Sequence, residues 1–245
     1  MINEFSRTER LIGEEGLLKL RRTCIMVLGV GGVGSHCIEA LARSGVGRLI
    51  LVDNDKVSLT NINRQSIAYH STIGRYKTEV MKERIADICP ETQVTTHETF
   101  ILPENLEEIF KERPDYIIDA IDTVTAKIAL AQKALECGIP IISSMGTGNK
   151  LHGEMFEIAD ISKTSVCPLC KVMRKELKAR GIRHLKVLYS KEMPVDVSDR
   201  ETEEDAGRRR ASGEHILRSS GCGASDCRRS HTGSACRTGI TGVRL

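Results

Sequence analysis

Seven residues, Gly29-Val30-Gly31-Gly32-Val33-Gly34-Ser35, carry the strongest chemical signal in the sequence. Glycines at this density let backbone N–H groups approach an oxyanion closely. A helix beginning inside the run aims its positive end at the same point, which is how a chain holds a phosphate. Asp53 follows about twenty residues later, where an acceptor for a ribose hydroxyl is expected. Beyond it the chain reads Asp53-Asn54-Asp55-Lys56, then Asn61-Ile62-Asn63-Arg64-Gln65 and Gly74-Arg75-Tyr76-Lys77. Two cations, Arg64 and Lys77, placed after a ribose acid suit a triphosphate, whose charge exceeds what one helix terminus and a glycine turn neutralise. Arg can grip two phosphate oxygens at once, while Lys acts as a mobile point charge. A nicotinamide dehydrogenase has no use for this block. Taken singly, either cation is an ordinary solvated charge; their joint spacing sets them apart.

The elements that must position these groups follow from apolar periodicity. Strands are expected over Cys24 to Leu28 and Arg48 to Val52, with the glycine turn and a helix between them. The alternation repeats with a helix from about Tyr76 to Ile88 and a strand at Gln93 to His97. A helix near Asn105 to Lys111 then precedes the strand Tyr116 to Ile118, and a helix from Val124 to Cys137 precedes the strand Pro140 to Ser144. Strands separated by helices pair in parallel, because a parallel connection needs a crossover. The fold class is therefore α/β, a doubly wound, mainly parallel sheet whose nucleotide-binding half is Rossmann-like. Gly29, Asp53, Asp119 with Asp122, and Ser144 fall at or just past the carboxyl ends of strands, where such sheets bind ligands.

A mixed extension follows, with a strand at Gly153 to Ile158, a basic helix from Pro168 to Arg180 and a strand at Leu185 to Tyr189. The organisation reads as one domain over residues 1–200 and an irregular segment over 201–245, rich in Arg, Ser, Gly and Cys and without sustained periodicity. At 245 residues and 40% hydrophobic content the chain can bury one substantial core. Its net charge of +3 is too small to argue for nucleic acid except through local clusters. No segment approaches a membrane-spanning length and the start lacks a signal-peptide core. Nine scattered cysteines fit a reducing compartment, so a cytoplasmic location is expected.

These residues together resemble the ubiquitin-activating-enzyme-like adenylating family, the ThiF and MoeB type. The marks are Gly29 to Gly34, Leu51-Val52-Asp53-Asn54-Asp55, Asn61 to Gln65, Gly74 to Lys77 and Asp119-Ala120-Ile121-Asp122. Within that family, Phe5 to Gly13, Lys171 to Leu177 and Lys186 to Glu192 are similar to the tRNA threonylcarbamoyladenosine dehydratases. The likeness covers about residues 1 to 200. It implies an ATP-dependent cyclisation of N6-threonylcarbamoyladenosine in tRNA. The threonyl carboxylate attacks the α-phosphate of ATP, pyrophosphate leaves, and the carbamoyl group closes a ring on the acyl adenylate with net loss of water. The resemblance implies a nucleotide site of Gly29, Gly31, Gly32, Gly34, Asp53, Asp55, Asn61, Arg64 and Lys77. Within it Asp53 takes the ribose, and Asn61, Arg64 and Lys77 take the phosphates. It further implies magnesium on Asp122 and a homodimer in which Arg7 reaches the phosphates of the other subunit, so that Arg7, Arg64, Lys77 and Asp122 form the catalytic set. Sulfur-transfer proteins are a further class of partner in this family.

Several readings stay open on sequence alone. Arg10 competes with Arg7 for the contact in trans. Asp119 either serves the site or terminates its strand and caps the following helix. Cys167-Pro168-Leu169-Cys170 is half of a zinc site or a pair of helix-terminal cysteines, since Cys222 and Cys227 are spaced too widely to supply a second C-x-x-C. The cluster Lys171, Arg174, Lys175, Lys178, Arg180, Arg183, Lys186 and Lys191, with Glu176 as its one acid, tracks tRNA phosphates or is a solvated helix face. A sulfur-carrier protein adenylyltransferase would use the same nucleotide site on a ubiquitin-like C-terminus. A nucleotide-sensing scaffold would use it without chemistry. Residues from about Ala211 to Ile240 back-translate, when read from the second base of each codon, into a string with a strand and an apolar helix. The tail is therefore expected to be a frameshifted product.

Overall fold

The computed structural model describes residues 3–196. The segment 201–245, with its expected frameshift and with Cys222 and Cys227, lies outside the described residues. Seven strands form one sheet in the order β3-β2-β1-β4-β5-β7-β6. They are β1 (Cys24–Leu28), β2 (Arg48–Val52), β3 (Gln93–His97), β4 (Tyr116–Asp119), β5 (Ile141–Ser144), β6 (Phe156–Asp160) and β7 (Lys186–Ser190). Every pairing is parallel except β6 with β7. Among the described residues six α-helices accompany them: α1 (Ser6–Arg22), α2 (Gly32–Arg43), α3 (Lys77–Ile88), α4 (Leu106–Phe110), α5 (Val124–Glu136) and α6 (Pro168–Ala179).

The central strand β1 is CIMVL, buried along its whole length, as a strand covered on both faces must be. Its side chains divide between two cores. Ile25 and Val27 pack with Ile38, Leu41, Met81 and Ile85 from α2 and α3; Met26 and Leu28 pack with Ile109, Phe110, Leu130 and Ala134 from α4 and α5. A third core joins α6 to β7 through Cys170, Met173, Leu177, Val187 and Tyr189. The strand order reverses between β1 and β4, so a crevice opens at their carboxyl ends.

Two local expectations are corrected. The strand expected from Gly153 starts later: Gly153–Met155 is a 3₁₀ turn, and β6 runs to Asp160. The Glu192 carboxylate accepts the Leu151 and His152 N–H groups at 2.7 and 2.9 Å, which bends the chain before the strand can begin. The helix α1, for which periodicity gave no signal, is seventeen residues long and broken at Gly13, where φ is 75°. It docks through Phe5 and Leu17 onto Cys89.

Candidate functional site

The glycine run is shaped by three different demands. Gly29 sits at φ +93°, and a Cβ there would lie 2.6 Å from the Ala120 carbonyl oxygen. A Cβ on Gly34 would lie 1.8 Å from the Gly29 carbonyl oxygen. These two are glycine because protein backbone passes there. Gly31 differs: its Cβ would meet nothing within 4 Å. It is the N-cap of α2, whose first turn carries no acid, so unpaired N–H groups and the helix's positive end face open space. That combination makes an anion cradle.

Hydrogen bonds hold the neighbouring groups around it. The Asp53 carboxylate, at the end of β2, accepts the Val30 N–H at 2.6 Å and the Asp55 N–H at 2.8 Å. Burial raises its pKa from the ordinary aspartate value, although Lys77 and these two N–H groups pull the other way. Asp55 Oδ2 pairs with Lys77 Nζ at 2.8 Å; the lysine side chain is buried and the aspartate exposed. Asn61 is buried, and its Oδ1 accepts the Ser58 N–H at 3.0 Å, closing a short 3₁₀ turn. Arg64 Nη1 donates to the Thr60 carbonyl at 2.8 Å and to Asn63 Oδ1 at 3.0 Å. The segment bearing Arg64 is fixed on α2 by Ser35, the last residue of the glycine run, and by His36, which the sequence did not single out. Ser35 Oγ accepts the Ser66 N–H at 3.1 Å, and His36 Nε2 meets the Arg64 carbonyl oxygen at 3.0 Å. Burial lowers the His36 pKa. A hydroxyl and an imidazole directly following the glycines were the available signal.

The loop after β4 closes the other side. Ala120 donates its N–H to the Leu28 carbonyl at 2.8 Å. Asp122, two residues on, is exposed and accepts from Thr123 Oγ1 at 3.2 Å. Magnesium uses one or two protein carboxylates and keeps waters, so a single exposed carboxylate beside an anion cradle fits that ion. Asp119 terminates β4 as one reading expected, but it does not cap the helix that follows. It is fully buried, and its Oδ2 pairs with Lys127 Nζ at 3.0 Å and accepts from Ser143 Oγ. Lys127 also donates to Ser143 Oγ at 3.1 Å and to the Ser144 carbonyl at 2.7 Å. The helix begins at Val124 with Thr123 as its N-cap, too far along for Asp119 to cap it. Asp119 and Lys127 instead lock the ends of β4 and β5 together beneath the Asp122 loop.

Arg7 is not brought to this site. It is exposed on α1, two residues past Phe5, whose ring would lie 3.0 Å from a Cβ on Gly45. Gly45 and Cys89 precede β2 and β3, so Arg7 stands near the amino ends of the strands, while Gly29, Asp53 and Asp122 stand at the carboxyl ends. Arg10 is exposed on the same helix, and Leu11 beside it is 82% exposed.

The basic cluster divides. Lys171, Lys175, Lys178 and Arg183 are exposed. Arg174 is held within the protein, donating to the Ile161 and Thr164 carbonyls and to Thr164 Oγ1. Arg180 pairs with Glu176 at 2.9 Å and Lys191 with Glu157 at 2.6 Å. Cys167 is the N-cap of α6 and Cys170 lies in its first turn, both buried. Among the described residues, no group of three or more His, Cys, Asp or Glu could hold a metal ion. Nor is any helix among them long and apolar enough to cross a membrane.

The model of the ThiF family matches residues 5–190. The chain is 49% identical over 200 residues to a tRNA threonylcarbamoyladenosine dehydratase of Bacillus subtilis, covering 81% of this chain and 79% of that one. It is 40% identical over 175 residues to the protein of that name from Escherichia coli, covering 71% and 65%. The crystal structure of the Escherichia coli tRNA N6-threonylcarbamoyladenosine dehydratase in complex with ATP matches with a TM-score of 0.84 at 32% identity, over 96% of each chain. A yeast adenylyltransferase and sulfurtransferase, from Ogataea parapolymorpha, is 30% identical over 174 residues. With this family model matched over most of the chain and these relatives sharing its fold and sequence, the chain belongs to the ThiF family, in the branch of the tRNA threonylcarbamoyladenosine dehydratases.

Proposed function

We propose that this chain is an ATP-dependent tRNA dehydratase that cyclises N6-threonylcarbamoyladenosine through an acyl adenylate. The observation that carries the reading is the open face of Gly31 at the N-terminus of α2, bordered by Asp53 and by the Ala120–Asp122 loop. The relatives' names supply the substrate class.

A carboxylate is a poor electrophile, and joining it to AMP makes its carbon open to attack by the neighbouring carbamoyl group. The protein's share of this chemistry is positioning and charge neutralisation. The backbone N–H groups of the glycine turn hold phosphate oxygens, with Asn61, Arg64 and Lys77 on the rest of the triphosphate. Lys77 exchanges its Asp55 partner for phosphate. Asp53 holds the loop through the Val30 N–H and offers its remaining acceptor capacity to the ribose. Magnesium, held by Asp122, would neutralise the leaving pyrophosphate. Asp119 and Lys127 act by fixing the loop that carries Asp122. The distance of Arg7 from its own chain's cradle supports a homodimer in which each site takes Arg7 from the other protomer. The exposed Leu11 beside it supports an interface there. Lys171, Lys175, Lys178 and Arg183 present the charge that tracks tRNA phosphates.

Production of AMP and pyrophosphate from ATP tests this reading directly. Release that rises with tRNA bearing threonylcarbamoyladenosine, and not with the same tRNA unmodified, is the expected result. Release that rises instead with a small ubiquitin-like protein would move the chain to the sulfur-carrier adenylyltransferases. ATP binding with no release under either condition would make it a nucleotide-binding scaffold.

A further inference from the structure

Among the buried cysteines of the described residues that the adenylation chemistry leaves unused, Cys167 and Cys170 stand together at the start of one helix. We propose that they form a thiol–disulfide site, closing a reversible disulfide by exchange with a small-molecule disulfide of the glutathione type.

Geometry comes first. Cys167 is the N-cap of α6 and Cys170 lies three residues on, followed by the rest of a twelve-residue helix. At that spacing on a helix Cβ atoms lie about 5–6 Å apart and a disulfide needs about 3.5–4.5 Å, so closure asks the first turn to tighten by about 1–2 Å. Both side chains are buried in one core, with Met173, Leu177 and Tyr189. Pro168 at the first helical position fixes the turn that holds them together.

The surroundings make the two sulfurs unequal. Cys167 stands at the positive, amino end of α6 in the same core as the Cys170 thiol, and its side chain closes no capping hydrogen bond. The nearby Lys150 adds positive charge. Together these outweigh desolvation and lower the Cys167 pKa to about 6, while Cys170 is driven up. An attacking thiolate beside a protonated resolving thiol is the division of labour that exchange requires.

Access comes through the turn before the helix. Val166 has φ +64°, and the Cys167 N–H closes onto the Ser165 carbonyl at 2.6 Å, a tight γ-turn. Positive φ is strained for a β-branched residue, so this turn yields before the helix does. Val166 is 44% exposed.

The reaction balances as follows. The Cys167 thiolate attacks one sulfur of the external disulfide, forming a mixed disulfide and expelling one thiolate. Cys170 gives up its proton and attacks Cys167 Sγ, expelling the second. The protein pair loses two electrons and two protons, and the external disulfide is reduced to two thiols. The site flanks the carboxyl end of the sheet. Met145, the residue after β5, shares the core containing both cysteines, and a Cβ on Gly146 would lie 3.9 Å from the Leu169 Cβ.

Trypsin supplies a clean readout, because the peptide between Lys163 and Lys171 contains these two cysteines and no others. The native full chain is equilibrated in glutathione buffers of graded oxidation, quenched by alkylation, digested and weighed. The expected result is conversion of that peptide from a doubly alkylated form to one lighter by two hydrogens than the free dithiol, in one two-electron transition. In Cys170→Ser, glutathione should be trapped on Cys167, and in Cys167→Ser trapping on Cys170 should fall by about tenfold or more. A peptide that stays doubly alkylated in the native chain at the most oxidising ratio, yet oxidises after unfolding in urea, overturns the proposal. So does one equivalent of zinc that shields both thiols in the isolated protein.

Discussion

Replacing Gly31 with alanine separates the proposed role of the cradle from its role in folding. The added methyl enters open space, since a Cβ there meets nothing within 4 Å, and the backbone at φ −85° accepts any side chain. Its effect on stability is that of an ordinary surface change, within about 0.5 kcal/mol. Gly34→Ala is the matched control, because its Cβ would lie 1.8 Å from the Gly29 carbonyl oxygen and 3.4 Å from the Ala120 Cβ. Neither backbone can yield without parting β1 from the loop after β4. The cost is about 1–3 kcal/mol or more, seen as a Tm loss of about 2–4 °C for each kcal/mol. At Gly31 the methyl takes the volume of a phosphate oxygen and removes one or two charge-assisted N–H contacts, each contributing about 1.5–3 kcal/mol. ATP affinity should fall at least about tenfold. Titration calorimetry with ATP, run beside thermal unfolding, reads both quantities. Gly31→Ala with unchanged ATP affinity, or with a Tm loss equal to that of Gly34→Ala, would refute the reasoning.

The remaining predictions concern other parts of the chain. Lys127→Met strands a buried Asp119 and should destabilise by about 3–5 kcal/mol, with part recovered by adding Asp119→Asn; urea unfolding checks it, and an unchanged midpoint contradicts it. His36 has a pKa lowered below 6.5 by burial, with Glu39 raising it and Arg84 lowering it further. The unfolded chain therefore takes up a proton first, and stability falls as pH drops below about 6.5. His36→Gln should flatten that slope in melts between about pH 5 and 7.5. Mixing Arg7→Ala with Lys77→Ala chains should restore some ATP–pyrophosphate exchange, because one composite site keeps both cations; confirmed mixed dimers without recovery count against the trans contact. DNA sequencing over codons 211–240 tests the frameshift, which fails if those codons do not permit the second reading frame.

The nucleotide half of the fold was legible because each of its signals is local. β1, β2 and β3 have the limits that alternation gave them, and the glycine turn, Asp53 and Asp122 fall at strand ends as expected. What escaped is non-local. Helix α1 is broken at Gly13 and buries chiefly Leu17 along its length, so no apolar stripe marks it. Asp119 reads as a site residue until its neutralising partner is known, and Lys127 sits eight residues away on the next helix. Arg174 looks like any member of a basic run until the Ile161 and Thr164 carbonyls are seen around its guanidinium. Arg7 matches a motif, yet spacing cannot say that the strand length of the sheet lies between it and the glycine turn.

The ion pair between Lys77 and Asp55 has a consequence for the ions that crowd a cell. A site built to neutralise a triphosphate would, if its cations stood bare, also collect inorganic phosphate, sulfate and carboxylate metabolites. Here the buried lysine is occupied by a carboxylate of the same chain, 2.8 Å away. A small anion offering only charge must compete with a tethered rival whose effective concentration is far above its own. A nucleotide brings a ribose and a base that bind elsewhere, and that added affinity drives the exchange of partners. In the proposed site the pair would act as a filter, letting the identity of the nucleoside decide whether the phosphate end becomes positive at all.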